Sequence, residues 1–156
     1  MTGAGYDRAL GMTGRWAAIG ATAVTVGILV ASAPTAARGC AAPRTDAAAA
    51  AADHLRGWPE VFSFYRDYRD CDDGGVADAV TDAVVRLLAG RWGDLATLAR
   101  IVRDNPNFKS FVLSHVDSTA DTKDLERVRN QSSQRCPPDL RSLCKDVTAA
   151  AEKAMQ

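Results

Sequence analysis

The stretch VADAVTDAVVRLLAGRW, residues 76–92, carries the clearest structural pattern in the chain. Its apolar side chains recur at helical spacing and share one stripe, namely Val76, Val80, Ala83, Val84, Leu87, Leu88 and Trp92. The charged residues Asp78, Asp82 and Arg86 fall off that stripe. Because a helix with one apolar side buries that side on a core, this segment predicts a core helix.

Shorter segments with the same periodicity flank this helix. They lie near residues 58–68, 95–102, 108–116, 121–128 and 137–151. Asp121 or Thr122 has the residue type that caps a helix start. No alternating run longer than four residues indicates a strand. Since short connections place consecutive helices side by side, we predict an all-α fold, a compact bundle of five to six short antiparallel helices that disulfides stabilise.

Residues 1–37 have the three parts of a secretory signal peptide. A charged start is followed by 22 uncharged residues, 16–37, that end in small side chains. An uncleaved anchor is the competing interpretation, because 22 residues can span a bilayer. A lipoprotein cut before Cys40 is a third, which the charge of Arg38 disfavours. We expect cleavage, no stable membrane span afterwards, and a periplasmic or secreted bacterial protein.

The rest of the chain is predicted to be an alanine-rich linker, residues 38–57, and a helical domain, residues 58–156. Six consecutive alanines occupy positions 47–52. Alanine is the best helix former, so the run can extend a first helix from a cap at Thr45 or Asp46. It has no apolar face large enough to pack, and we therefore expect it to be a spacer.

Four cysteines follow the predicted cleavage site, and these are Cys40, Cys71, Cys136 and Cys144. An even number in an exported chain indicates disulfides, and no two of them have the Cys-x-x-Cys spacing of zinc ligands. The tight turn at Pro137 and Pro138 favours a Cys136–Cys144 bond. Cys71 is then either free or joined to Cys40, and the alternative is a bond from Cys71 to the last helix.

Charge and motifs argue against nucleic-acid binding and catalysis. Cleavage removes two of 19 basic and one of 19 acidic residues, which leaves a net charge near −1, whereas nucleic acid needs a basic surface. The chain has no nucleophile elbow, His-Glu-x-x-His or phosphate loop. No catalytic residue, metal ligand or cofactor is predicted. His115 is expected to be a half-buried structural residue, and Arg100 and Arg103 to solvate the third helix.

An acidic turn is the first candidate for a partner-binding feature. Asp70, Asp72 and Asp73 precede a glycine pair, but the segment fails as an EF-hand calcium loop. Gly74 stands where an oxygen ligand is needed, and Thr81 stands in place of the final glutamate. The simpler interpretation is a helix stop whose aspartates favour the start of the next helix.

An aromatic segment directly precedes this turn. Five of the eight aromatic residues after position 37 fall within residues 58–68, and they cannot all share one helix face. Burial of the helix on two sides explains this, and exposure of one or two rings to a partner is the sharper interpretation. We predict that any partner-binding surface comprises Phe62, Tyr65, Asp70, Asp72 and Asp73, because charge steers association and a desolvated ring anchors it.

The segments YRDCDDGGV (68–76) and FVLSHV (111–116), with the late Cys136-Pro137 and Leu143-Cys144 pairs, resemble small exported all-helical proteins of proteobacteria. In architecture the chain is also similar to periplasmic immunity proteins that guard against amidase effectors of type VI secretion. The resemblance implies a non-catalytic protein that neutralises a cell-wall-targeting toxin by blocking its active site. It carries over no individual site residue. The alternative is a structural or assembly factor of the envelope, and in either role the partner is another protein.

We predict that the mature N-terminus lies between Arg38 and Cys40. Small residues at the peptidase-facing positions place the cut there. The intact mass of protein recovered from the periplasm measures it. A full-length mass in the membrane fraction contradicts the prediction and favours the anchor.

Overall fold

Seven helices make up residues 40–156, which are the residues that the computed structural model describes. They are α1 (Ala42–Ala52), α2 (Trp58–Tyr68), α3 (Gly74–Gly90), α4 (Leu95–Asp104), α5 (Pro106–Ser114), α6 (Thr122–Gln134) and α7 (Arg141–Ala154). One 3₁₀ turn follows α2, another follows α3, and a third precedes α7. The described residues contain no strand. The predicted all-α class is confirmed. The predicted signal peptide, residues 1–37, lies outside the described residues.

The core helix predicted from residues 76–92 is α3, and it is buried more widely than its sequence stripe indicates. Thr81, Val85 and Ala89 are buried in addition to the stripe residues from Val76 to Leu88. The reason is that α3 packs against α1 and α6 and also contacts α2. The last stripe residue, Trp92, lies beyond α3 in the 3₁₀ turn that follows it and is only partly buried. The three charged residues that fall off the stripe are exposed, as predicted. Helices distant in sequence therefore meet on α3, in addition to the pairing of consecutive helices.

The alanine run is a packed helix rather than the expected spacer, and it raises the helix count from the predicted five to six to seven. α1 begins at Ala42, before the Thr45 or Asp46 cap considered from the sequence. Ala48 and Ala52 are buried, at 0% and 4% exposure, where α1 packs against α3. A methyl side chain keeps two helix backbones close, so α1 packs through small residues without a large apolar face.

Two disulfides cross-link the helical domain. Cys40–Cys71 connects the residues before α1 to the 3₁₀ turn after α2, and Cys136–Cys144 connects the start of the α6–α7 link to α7. Cys136–Cys144 is the pair that the sequence analysis favours, and Cys40–Cys71 is one of the alternatives that it leaves open for Cys71. α6 packs more extensively against α7 than any other two helices do. None of the helices within residues 40–156 has the length and apolarity needed to cross a membrane.

We predict that the long-range disulfide contributes more stability than the local one. The two bonds close separations of 31 and 8 residues, and loop-closure entropy gives about 3.7 and about 2.5 kcal/mol respectively. The Cys40→Ala/Cys71→Ala variant should therefore have a free energy of unfolding about 1 kcal/mol lower than Cys136→Ala/Cys144→Ala. Urea unfolding followed by circular dichroism measures both. A larger loss in the second variant contradicts this.

Candidate functional site

The three predicted acidic residues lie in the turn between α2 and α3. They differ in burial and in their hydrogen bonds. Asp70 and Asp73 are exposed, whereas Asp72 is partly buried. Asp73 is the N-cap of α3, and its carboxylate accepts a 2.8 Å hydrogen bond from the backbone N–H of Gly74. Gly74 has a φ of 52°, a left-handed conformation that favours glycine. The simpler interpretation of a helix start therefore explains Asp73 and Gly74.

Asp72 points inward and binds His115. Nε2 of His115 donates to Oδ2 of Asp72 at 3.0 Å. In that tautomer, Oγ1 of Thr81 donates to Nδ1 of His115, also at 3.0 Å. The imidazole is 4% exposed and packs edge-on against the ring of Phe111, with centroids 4.6 Å apart. His115 is thus fully buried rather than half-buried, and it links the turn to α3.

The set of Thr81, His115 and Asp72 has the residue types of a nucleophile, base and carboxylate, but its geometry favours a structural role. A catalytic hydroxyl must reach substrate, and Thr81 is only 3% exposed. In a serine-type triad the carboxylate holds Nδ1, whereas here Asp72 holds Nε2. Both ring nitrogens of His115 are therefore engaged in holding the turn against the bundle.

The aromatic candidates form a cluster between α2 and α5. Phe62 and Tyr65 are partly buried, with ring centroids 6.2 Å apart. Their centroids lie 5.0 and 5.4 Å from that of the buried Phe108, and Tyr65 also contacts Phe111 at 5.1 Å. Each of the two side chains therefore packs against other rings while it remains partly accessible.

Two arginines that the sequence analysis did not include lie beside these aromatic rings. The guanidinium of Arg66 lies 5.7 Å from the Phe62 centroid, and that of Arg69 lies 5.3 Å from the Tyr65 centroid. Both contacts join residues four apart, which are neighbours on a helix face, so the spacing was readable from the sequence. The surface is therefore mixed in charge, with cations over the rings and acids in the turn.

Among the predicted contact residues, the structure leaves Phe62, Tyr65, Asp70 and Asp73 accessible at least in part, and we call these four the α2–turn face. Asp72 differs, because its carboxylate is engaged by His115. Within residues 40–156, no cluster of three or more histidine, cysteine, aspartate or glutamate side chains is arranged to hold a metal ion.

Comparison with known proteins returned no relatives. No protein family matches the chain. Neither a curated protein nor a solved structure matches it. The similarity to immunity proteins therefore stays a prediction.

We predict that Asp72 stabilises the fold and that the neighbouring Asp70 does not. Asp72→Ala leaves Nε2 of the buried His115 without a partner, which should lower the free energy of unfolding by about 1–3 kcal/mol. Asp70→Ala, at an exposed position, should change it by less than about 0.5 kcal/mol. Asp72→Asn keeps an acceptor oxygen and should lose less than Asp72→Ala. Urea unfolding measures all three, and equal losses at positions 70 and 72 contradict the prediction.

Proposed function

We propose that this protein is a non-catalytic binding protein of the bacterial cell envelope that contacts another protein through the α2–turn face. The observation that carries this proposal is the packing of Phe62 and Tyr65 on a buried ring of α5. Both rings remain partly exposed while they rest on Phe108 of α5. A partly exposed aromatic side chain whose motion is restricted by neighbouring rings loses less entropy on binding than a free one, and aromatic residues dominate interface energies.

Charge at the same face supplies a second element of recognition. Asp70 and Asp73 are exposed in the turn that directly follows α2. Acidic groups in a turn that follows the aromatic helix would steer basic groups of a partner into contact. Arg66 and Arg69 lie over the rings. Their guanidinium groups would donate hydrogen bonds to acceptor groups of the partner at the same interface. A partner surface that presents both acidic and basic groups beside an apolar patch fits this combination.

The most concrete form of this function is immunity. In it, the protein neutralises a cell-wall-targeting toxin by inserting the α2–turn face into the active-site cleft. The burial of Thr81 and the engagement of both His115 nitrogens support a binding role over a catalytic one. Two disulfides within residues 40–156 suit a protein that works in an oxidising compartment such as the periplasm.

We predict that a photo-reactive benzoylphenylalanine at position 62 cross-links the partner in intact cells. The same group at Glu126, an exposed position on α6, is the control for non-specific capture. The cross-linked protein is identified by mass spectrometry, purified, and titrated with unlabelled protein. Equal cross-linking at both positions contradicts the proposed surface.

The titration then separates the aromatic from the acidic contribution. Phe62→Ala should weaken binding by about tenfold or more, through faster dissociation. Asp70→Asn/Asp73→Asn should mainly slow association and reduce its salt dependence, and asparagine at 73 still caps α3. Asp46→Asn/Asp53→Asn removes the same charge from exposed positions of α1 and its end and should have little effect. If every folded variant binds alike, the α2–turn face is not the site.

Inhibition is a separate measurement. If the partner is a cell-wall hydrolase, a saturating amount of wild-type protein should stop its cleavage of peptidoglycan. Unchanged cleavage at saturation, with binding intact, contradicts immunity and favours the assembly factor.

A further inference from the structure

A groove of about 560 Å³ runs along α7 beside the end of α6, and both cysteines of the Cys136–Cys144 disulfide line it. Its volume is within the range of sites that hold small molecules. None of its lining residues belongs to the α2–turn face. What reacts in this groove therefore does not depend on the function proposed above.

The two cysteines of this bond differ in accessibility. Cys136 is half-buried in the link before α7, whereas Cys144 is 2% exposed and is the fourth residue of α7. In thiol–disulfide exchange a thiolate attacks one sulfur of the bond and the other sulfur leaves as a thiolate. A thiolate that enters the groove would reach Sγ of Cys136, and Sγ of Cys144 would be the leaving group.

Two cations lie beside this leaving group. Arg141 precedes Cys144 by three positions and so lies on the same side of α7, and Lys145 is the next residue. Both cations line the groove, are exposed, and make no ion pair with any residue in 40–156. Neighbouring cations and a position at the start of a helix both stabilise a thiolate, and a stabilised thiolate leaves faster.

The acidic residues of α7 do not cancel this charge at the sulfur. Asp146 does not line the groove, and its carboxylate pairs with Lys109 of α5 at 2.8 Å. Glu152 does line the groove, but it follows Cys144 by eight positions, which is about 12 Å along a helix axis. The cations are within one turn of Cys144, so the nearer charge is positive.

The other disulfide has the opposite surroundings. Cys40 is half-buried and Cys71 is 2% exposed, so Cys71 would be the leaving group there. The charged residues within two positions of Cys71 are Arg69, Asp70, Asp72 and Asp73. An excess of negative charge disfavours a thiolate at Cys71. The two bonds should therefore differ in reactivity although each has one half-buried cysteine.

We propose that Cys136–Cys144 is a site of thiol–disulfide exchange with a small anionic thiol, and that Cys40–Cys71 is a purely structural bond. In the first step, the thiolate sulfur bonds to Sγ of Cys136 as the disulfide breaks, and the electron pair of the broken bond stays on Sγ of Cys144. In the second step, another thiolate attacks the external sulfur, and Cys136 leaves as a thiolate. The protein thiolates take up the protons that the two external thiols released. Two external thiols are thus oxidised to one disulfide, and the protein disulfide is reduced to two thiols.

The fold can accommodate the opening of this bond. Cys136–Cys144 closes a separation of only 8 residues, and α6 and α7 are the two helices that pack most extensively against each other. The helices that the bond joins therefore stay in contact through their side chains when it opens.

Glutathione, an anionic thiol, tests the proposal. The full protein, purified with both disulfides intact, is incubated with excess glutathione, and samples are acidified, alkylated and mapped by mass spectrometry. Cys136–Cys144 should open about tenfold or more faster than Cys40–Cys71. The mixed disulfide should carry glutathione on Cys136 and the alkyl group on Cys144. Circular dichroism should retain the helical signal after this bond has opened.

Cysteamine, a cationic thiol, is the matched probe for charge. The rate of each thiol is divided by its rate with 2-hydroxyethyl disulfide, a neutral compound, which removes the difference in intrinsic reactivity. At Cys136–Cys144 the corrected rate of glutathione should exceed that of cysteamine by about threefold or more.

Variants then test the two cations. Arg141→Glu/Lys145→Glu should slow the opening of Cys136–Cys144 by glutathione about tenfold. Arg56→Glu/Lys123→Glu changes the net charge equally at exposed positions that make no ion pair with residues 40–156. It should stay within about twofold of wild type. Circular dichroism establishes that each variant is folded.

Any of five results would overturn the proposal. Cys40–Cys71 could open as fast as Cys136–Cys144, or glutathione could be found on Cys144 instead of Cys136. Cysteamine could react at least as fast as glutathione after correction, or the two charge-reversal variants could have equal effects. Loss of the helical signal on opening would show that Cys136–Cys144 is a structural bond as well.

Discussion

Three consecutive residues in the turn between α2 and α3 bond to three different parts of the molecule, and much of the fold depends on them. The sulfur of Cys71 joins the chain before α1, Asp72 binds His115, and Asp73 caps α3. His115 in turn accepts a hydrogen bond from Thr81 of α3. A turn of a small domain has few apolar contacts to hold it, so a disulfide, a side-chain hydrogen bond and a helix cap together replace the packing that a longer element would have.

How much of this could be read from the sequence depends on the range over which each signal acts. The apolar stripe of α3 and the Asp121 cap of α6 are local patterns, and the structure agrees with them. The Asp72–His115 bond spans 43 positions, and no local pattern indicates a partner so distant. The packing of α1 was missed for another reason, since a run of identical residues has no periodicity that could distinguish its buried side.

Recognition at the α2–turn face would combine shape with charge. Phe62 makes an edge contact with Phe108 of α5, and Tyr65 packs against the same ring at a tilt, so both rings have support beneath them. Asp70 and Asp73 are exposed, and their contribution to binding would weaken as salt screens their charge.

The alanine helix has a consequence for how this protein can vary. Its sequence is of low complexity, yet Ala48 and Ala52 are buried against α3 while Ala47, Ala49 and Ala50 are exposed. A larger side chain at either buried position would force α1 away from α3 and strain the disulfide at its start. The exposed positions accept almost any residue that tolerates a helix. Identical residues in this run are therefore under very unequal selective constraint, and drift among homologous chains should follow the helical period.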